Sequence, residues 1–143
     1  MKQLACSKGL LGLLFILILG TGCATTQARL LDSDESQVRL RSIQSRAFDT
    51  TDKAQTLRTA ISLLQDLGFI IDQADLALGT VTGTKLAGYQ VRMTVSVRSR
   101  GETQLIVRAN AQYNLDPVTD PEPYRTFFTA LEKAMFLTGH QVD

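Results

Sequence analysis

Two stretches of this chain alternate apolar and polar residues without a break. In Tyr89 to Arg98, the apolar set Tyr89, Val91, Met93, Val95 and Val97 is interleaved with Gln90, Arg92, Thr94, Ser96 and Arg98. In Gln104 to Tyr113, Leu105, Val107, Ala109, Ala111 and Tyr113 alternate with Gln104, Ile106, Arg108, Asn110 and Gln112. Successive strand side chains point to opposite faces, so each stretch predicts a strand with one buried and one wet face, as in antiparallel sheets. Ser99 to Glu102 supplies the hairpin turn between them. Two other stretches repeat at helical spacing: Leu57, Ala60, Ile61, Leu64 and Leu67, then Tyr124, Phe127, Phe128, Leu131 and Met135. Asp52 is the expected cap of the first helix, with Gln55 completing a capping box. Asp120 and Pro121 make a favourable start for the second. Gly68 suits a left-handed C-terminal cap with Phe69 touching Leu64 across it, and Gly139 is expected to end the second helix.

The remaining pattern is shorter. Ser42 to Phe48 fits a first strand at a sheet edge. Phe69 to Asp72 and the β-branched run Thr80 to Lys85 fit two more, with turns near Asp75 to Gly79 and Leu86 to Gly88. The order is β-α-β-β-β-β-α. Two amphipathic helices must cover the single apolar face of an antiparallel sheet, which predicts a two-layer α+β domain over residues 42–143. Gly83, inside a strand, signals a close backbone approach, expected from a helix crossing the sheet.

Ahead of this domain the pattern changes. Lys2 and Lys8 precede Gly9 to Gly20, a run of twelve residues without a polar side chain. Charged, apolar and small-residue segments in that order read as a secretory signal peptide over residues 1–22. A helix of that length spans about 18 Å against a hydrocarbon core of about 30 Å, too short for a permanent span. The polar stretch Ala24 to Arg41 reads as a tether reaching about 23 Å on average if flexible. Within it Leu30, Leu31, Val38 and Leu40 leave room for a short helix.

Leu19 to Cys23 resembles the lipobox of bacterial lipoproteins, whose cysteine is lipidated and becomes the first residue after cleavage. Gly22 and the uncharged Thr21 fit that pattern, whereas Gly20 stands where the family usually has leucine and Leu19 lies one place further out. Ordinary signal cleavage and an uncleaved short anchor are the alternatives. The resemblance implies that Cys23 carries the lipid and, because Ala24 rather than Asp follows it, that the protein is exported to the outer membrane and faces the periplasm. Two or more acyl chains would make attachment stable, each buried methylene adding about 0.8 kcal/mol. The β-α-β-β-β-β-α order is similar to the helix-grip domains of the accessory lipoprotein of the outer-membrane β-barrel assembly machinery. More locally, Arg46-Ala-Phe-Asp-Thr-Thr-Asp52, Leu64-Gln-Asp-Leu-Gly-Phe69 and Leu78-Gly-Thr-Val81 resemble a family of small bacterial outer-membrane lipoproteins, over about residues 41–138. That second resemblance implies no particular activity.

Charge and cysteine content narrow the partners. Without residues 1–22, thirteen Lys and Arg face fourteen Asp and Glu. A slightly acidic domain argues against nucleic acid as partner, which calls for a basic excess. Cys6 leaves with the signal, so the mature chain has no intramolecular disulfide and must rely on an apolar core.

A search for catalytic residues finds little. His140, three residues from the end, is expected to be solvated, with no carboxylate near it in sequence. No nucleophile elbow, zinc-protease helix motif or phosphate loop occurs. Gly79-Thr-Val-Thr-Gly83 leads into strand rather than into a helix N-terminus. Asp72 and Asp75 are the nearest approach to a carboxylate pair and are expected to serve a turn. Asp32-Ser-Asp-Glu35 lacks calcium-loop spacing. No cofactor or metal is expected.

The wet sheet face has more content. Arg92, Arg98 and Arg108 share it with Asn110, Gln90, Thr94, Ser96 and Gln112, with Thr80, Thr82, Thr84 and Arg46 expected beside them and no acid among these positions. Arginine forks match carboxylates and phosphates, and amides match hydroxyls. Arg92, Arg98, Arg108 and Asn110 are therefore the candidate binding residues; an envelope protein, peptidoglycan or lipopolysaccharide are the candidate partners. The alternative use of this face is plain solvation. The leading expectation is a non-enzymatic, membrane-anchored binding or scaffold module in envelope assembly or maintenance. The runner-up is an accessory factor or weak hydrolase acting on envelope polymers, with Asp72, Asp75 or His140 in play.

Overall fold

A computed structural model describes residues 36–86, 88 and 90–142. The signal segment, Cys23 and the tether as far as residue 35 lie outside the described residues, as does Tyr89. The elements of the α+β unit Val38–Asp143 are β1 (Ser45–Phe48), α1 (Lys53–Asp66), β2 (Ile70–Asp75), β3 (Thr80–Leu86), β4 (Gln90–Arg100), β5 (Gln104–Tyr113), β6 (Asp116–Pro117), α2 (Glu122–Met135) and β7 (His140–Gln141). Residues 36–44 are helical and run into β1 without a loop. The expected strand from Ser42 is thus shortened to begin at Ser45.

All strand pairs are antiparallel, in the order β2-β3-β4-β5-β1-β7, with β6 on the part of the β5 edge that β1 leaves free. Helices α1 and α2 pack on one face. The core joins Leu57, Ala60, Leu63 and Leu64 of α1 and Phe127, Phe128 and Leu131 of α2 to Val95 and Val97 of β4 and Leu105, Val107 and Ala109 of β5. Each valine, leucine or phenylalanine among them contributes about 1.5–3 kcal/mol when fully buried. On α1, Leu63 and Thr56 are buried where Ile61 and Leu67 were expected, and those two pack only at the margin.

Local chemistry fixes the element ends. Asp52 Oδ1 accepts from the Gln55 N–H at 2.8 Å. The expected reciprocal bond from the Gln55 side chain is replaced by the Thr50 hydroxyl, which accepts from the Asp52 N–H at 3.2 Å. Gly68 has φ +85°, and the Phe69 N–H reaches back to Leu64 O at 2.9 Å, a closed C-terminal turn. Asp120 Oδ1 accepts from the Glu122 N–H at 3.0 Å, but it does so from one residue outside the helix: Pro121, expected as the first helical residue, occupies the N-cap position, and its carbonyl takes the first bond of the helix from Arg125.

Helix α2 stops at Met135 rather than at Gly139. Phe136 takes the left-handed position with φ 56° and is 95% exposed. Gly139 is small for another reason: a Cβ there would lie 2.7 Å from Glu132 Oε1 and 3.2 Å from the Phe48 ring. Gly83 likewise faces no helix. A Cβ on it would lie 3.2 Å from both Ile70 O and Phe69 Cβ, so the glycine admits β2, whose register shifts between Ile71 and Gln73.

Candidate functional site

Register determines what the uncovered face carries. Across β3, β4 and β5, Thr80 stands beside Ser96 and Arg108, Thr82 beside Thr94 and Asn110, and Thr84 beside Arg92 and Gln112. The Thr82 and Thr94 hydroxyls are 3.0 Å apart. Arg98 stands opposite Ile106. The expected open face is therefore present, with its three threonines.

The four candidate binding residues fall into two pairs. Arg98 and Arg108 are diagonal neighbours across β4 and β5, as are Arg92 and Asn110, and such neighbours stand about 7–8 Å apart. Six residues of strand put Arg92 about 20 Å from Arg98. None of the three arginines forms a salt bridge among the described residues; the ion pairs there are Arg125–Glu122 and His140–Asp49. Arg46 does not join them. Paired with Val107, it lies on the helix-covered side, where its guanidinium sits 5.2 Å from the Phe128 ring centre. Its Nη1 donates to Ser42 O at 2.9 Å and Ser45 O at 2.8 Å. The Ser42 carbonyl belongs to the last turn of the helical run 36–44 and Ser45 is the first residue of β1, so Arg46 ties the end of that helix to the strand that follows.

Arg108 is held from beneath by residues that local pattern did not single out. Its Nη2 donates to Gln44 Oε1 at 3.4 Å. Gln44 is 2% exposed, and its Nε2 reaches Tyr124 Oη at 3.2 Å and Asn110 Oδ1 at 3.5 Å. Tyr124 Oη donates to Val118 O at 2.7 Å and accepts from the Ala111 N–H at 3.3 Å. This network fills the interval on the β5 edge between β1 and β6, where Ala111 O accepts from the Val118 N–H at 2.9 Å and the Ala111 N–H turns to Tyr124. It satisfies buried groups that would otherwise cost about 1–3 kcal/mol each.

Acids do occur on the open face, at both edges. In β2, Asp75 stands level with Thr80, and Asp72 Oδ2 accepts from the Thr84 hydroxyl at 2.6 Å. Both were expected in or beside a turn; β2 extends through Asp75, whose Oδ1 still accepts from the Leu78 N–H at 2.8 Å. At the other edge His140 belongs to β7 beside Ala47, and its Nε2 is 3.0 Å from Asp49 Oδ2. Asp49 Oδ1 also accepts from Gln104 Nε2 at 2.6 Å. The Gln104 amide, and next His140, hold the Asp49 carboxyl below its ordinary value. So His140 is not a lone chain-end histidine. Its partner is distant in sequence, and no local motif could have indicated it.

The catalytic candidates do not converge. Asp72 and Asp75 lie on β2 and His140 on β7, the two ends of the strand order, five strand spacings or about 24 Å apart. Among the described residues no three His, Cys, Asp or Glu side chains gather as metal ligands, and no helix is long and apolar enough to cross a membrane. The class these features define is a two-layer α+β domain with an open, arginine-bearing antiparallel sheet. No family model and no curated protein sequence matches this chain.

Proposed function

We propose that the protein is a periplasm-facing lipoprotein, anchored to the outer membrane through lipid on Cys23, whose open sheet face binds an anionic or hydroxyl-rich envelope partner without catalysing a reaction. The observation that carries this reading is the set Arg92, Arg98 and Arg108, aligned on the uncovered face and unpaired with acids among the described residues. Asn110 adds an amide beside them. The lipobox-like ending at Cys23 and the resemblance to small outer-membrane lipoproteins support the address. The hydrolase alternative draws on the His140–Asp49 contact, but its other candidate acids stand at the far edge of the sheet.

In-cell crosslinking with mass spectrometry tests the binding reading. The triple variant Arg92→Gln, Arg98→Gln, Arg108→Gln is expected to fold normally and to lose a crosslinked envelope partner. Identical crosslink profiles would reduce the face to a solvated surface. In the same cells Cys23→Ser is expected to move the protein from membranes to the soluble periplasmic fraction. Retention as an integral membrane protein would refute the lipid anchor.

A further inference from the structure

The open face is not level along β1. Its open-face residues are Ser45 and Ala47, 7% and 0% exposed. The strands on either side raise larger side chains: Arg108 and Ile106 of β5 face Ser45 and Ala47, and His140 of β7 faces Ala47 from the other side. Continuing that register brings Val142 level with Ser45. Ala47 is closed off from solvent and Ser45 nearly so, beneath these larger neighbours. Where the helical run 36–44 meets β1, a groove of about 610 Å³ is lined by Val38, Arg41, Ser42, Ser45, Arg108 and Val142. That volume lies within the range of small-ligand sites, about 300–1,000 Å³.

The lining has a definite chemistry. Arg41 and Arg108 come from different elements to one groove, and neither has an acidic partner among the described residues. Arg108 is positioned by the buried Gln44 beneath it. Two arginine forks at one mouth match a planar carboxylate. Val38 and Val142 offer apolar contacts for short aliphatic groups, and Ser42 and Ser45 offer hydroxyls. Gln141, also at the groove, belongs to β7, the outermost strand among the described residues, whose outer edge can pair with an extended backbone. Polar and apolar groups mixed in this way suit a chain of amides and small side chains better than an acyl tail. We propose that the groove captures the end of a short peptide through its free carboxylate, a reading that rests on the binding role of the open face and names a ligand class for it. Two envelope sources share this chemistry: the chain end of a protein, built of L-residues, and a wall stem peptide ending in D-residues.

Fluorescence anisotropy on the full chain in detergent tests the proposal, using labelled tetrapeptides ending in Ala-Ala. The free-carboxylate peptide is expected to bind about tenfold or more tightly than its C-terminal amide, since the amide lacks the charge-assisted bonds. Arg41→Gln and Arg108→Gln should each weaken binding by about tenfold; Arg108→Lys, which keeps the charge and loses the fork, should also weaken it. Arg125→Gln, on the helix layer, should leave it unchanged. Circular dichroism confirms folding of each variant. Preference for the L- or the D-ended peptide, with the carboxylate requirement intact, supports the proposal and assigns the source. Equal binding of acid and amide overturns it, as does complete displacement by inorganic phosphate at the peptide's own concentration. If neither peptide binds while the triple-arginine variant still loses its crosslinked partner, the groove proposal fails and the binding face stands. If the crosslinks are also unchanged, both fail.

Discussion

Replacing Tyr124 with Phe removes one oxygen from the centre of the domain and keeps the ring. Tyr124 is 0% exposed, and its hydroxyl contacts Val118 O at 2.7 Å, Gln44 Nε2 at 3.2 Å and the Ala111 N–H at 3.3 Å. Ala111 and Val118 are themselves 0% and 2% exposed, so in the variant that carbonyl and that N–H lose a partner inside the protein. Each such group costs about 1–3 kcal/mol. Gln44 suffers less, because its Nε2 retains the exposed Asn110 Oδ1 at 3.5 Å. The expected loss is therefore about 2–6 kcal/mol, a large share of the stability of a domain this size, which is about 5–15 kcal/mol. Burial of the ring is unchanged, so a hydrophobic term does not confound the value.

The measurement is urea unfolding followed by far-UV circular dichroism, since the chain has no tryptophan. An unchanged slope with a midpoint lowered by about 1–3 M would match the expected loss. A cycle with Gln44→Met then asks whether the two side chains act as one unit. Neighbours sharing a network couple by about 0.5–3 kcal/mol, so the double variant should be less destabilised than the sum of the singles. A loss below about 0.5 kcal/mol for Tyr124→Phe would refute the reasoning, because surface-like substitutions fall within that range.

Gly79→Ala should destabilise by about 2–4 kcal/mol in the same assay, whereas Gly101→Ala should cost only about 1–2 kcal/mol. Both glycines have positive φ, +73° and +64°, but a Cβ at Gly79 would lie 2.5 Å from Val97 O and collide with Lys53, while at Gly101 nothing lies within 4 Å. Equal losses would remove the close-approach argument. The Asp49 contacts predict an acid-side dependence. Because Gln104 and His140 lower its pKa in the folded state, their contribution is present above the ordinary carboxylate range and is lost as pH falls through the lowered folded value. Urea midpoints at pH 7 should then separate wild type from Asp49→Asn, and the separation should shrink below about pH 4. A separation independent of pH would exclude this source.

Elements held by their own periodicity were legible in the chain. Strands β4 and β5 carry ten consecutive pairings, Val91–Tyr113 to Arg100–Gln104, and their alternation alone separated Met93, Val95 and Val97 from Arg92 and Arg98. Helices α1 and α2 had both an apolar stripe and a capping acid. What failed were short elements whose identity depends on a neighbour. The four residues of β1 look the same to a local reading whichever face they bury, and only pairing with β5 puts Arg46 over Phe128 and Ser45 on the opposite side of the sheet. Two-residue strands such as β6 and β7 carry no period at all. The His140–Asp49 contact spans 91 positions and the Gln44–Tyr124 bond 80, beyond any local signal.

That same register bears on how the open face is to be understood. A merely solvated sheet usually mixes signs, so that each cation has an acid nearby. Here the acids near the face are on the edge strand β2 or in the bend after β1, and already occupied: Asp72 by Thr84, Asp75 by the Leu78 N–H, Asp49 by Gln104 and His140. The central strands retain Arg92, Arg98 and Arg108 without such partners among the described residues. Keeping three guanidinium groups on adjacent strands costs some mutual repulsion, and a handful of edge-to-centre charge swaps would relieve it. A ligand that supplied the missing anions would relieve it as well. Arg108 is the one of the three that reaches a groove with a further guanidinium, Arg41, and that Gln44 holds in place, so this groove is where an incoming carboxylate meets both forks.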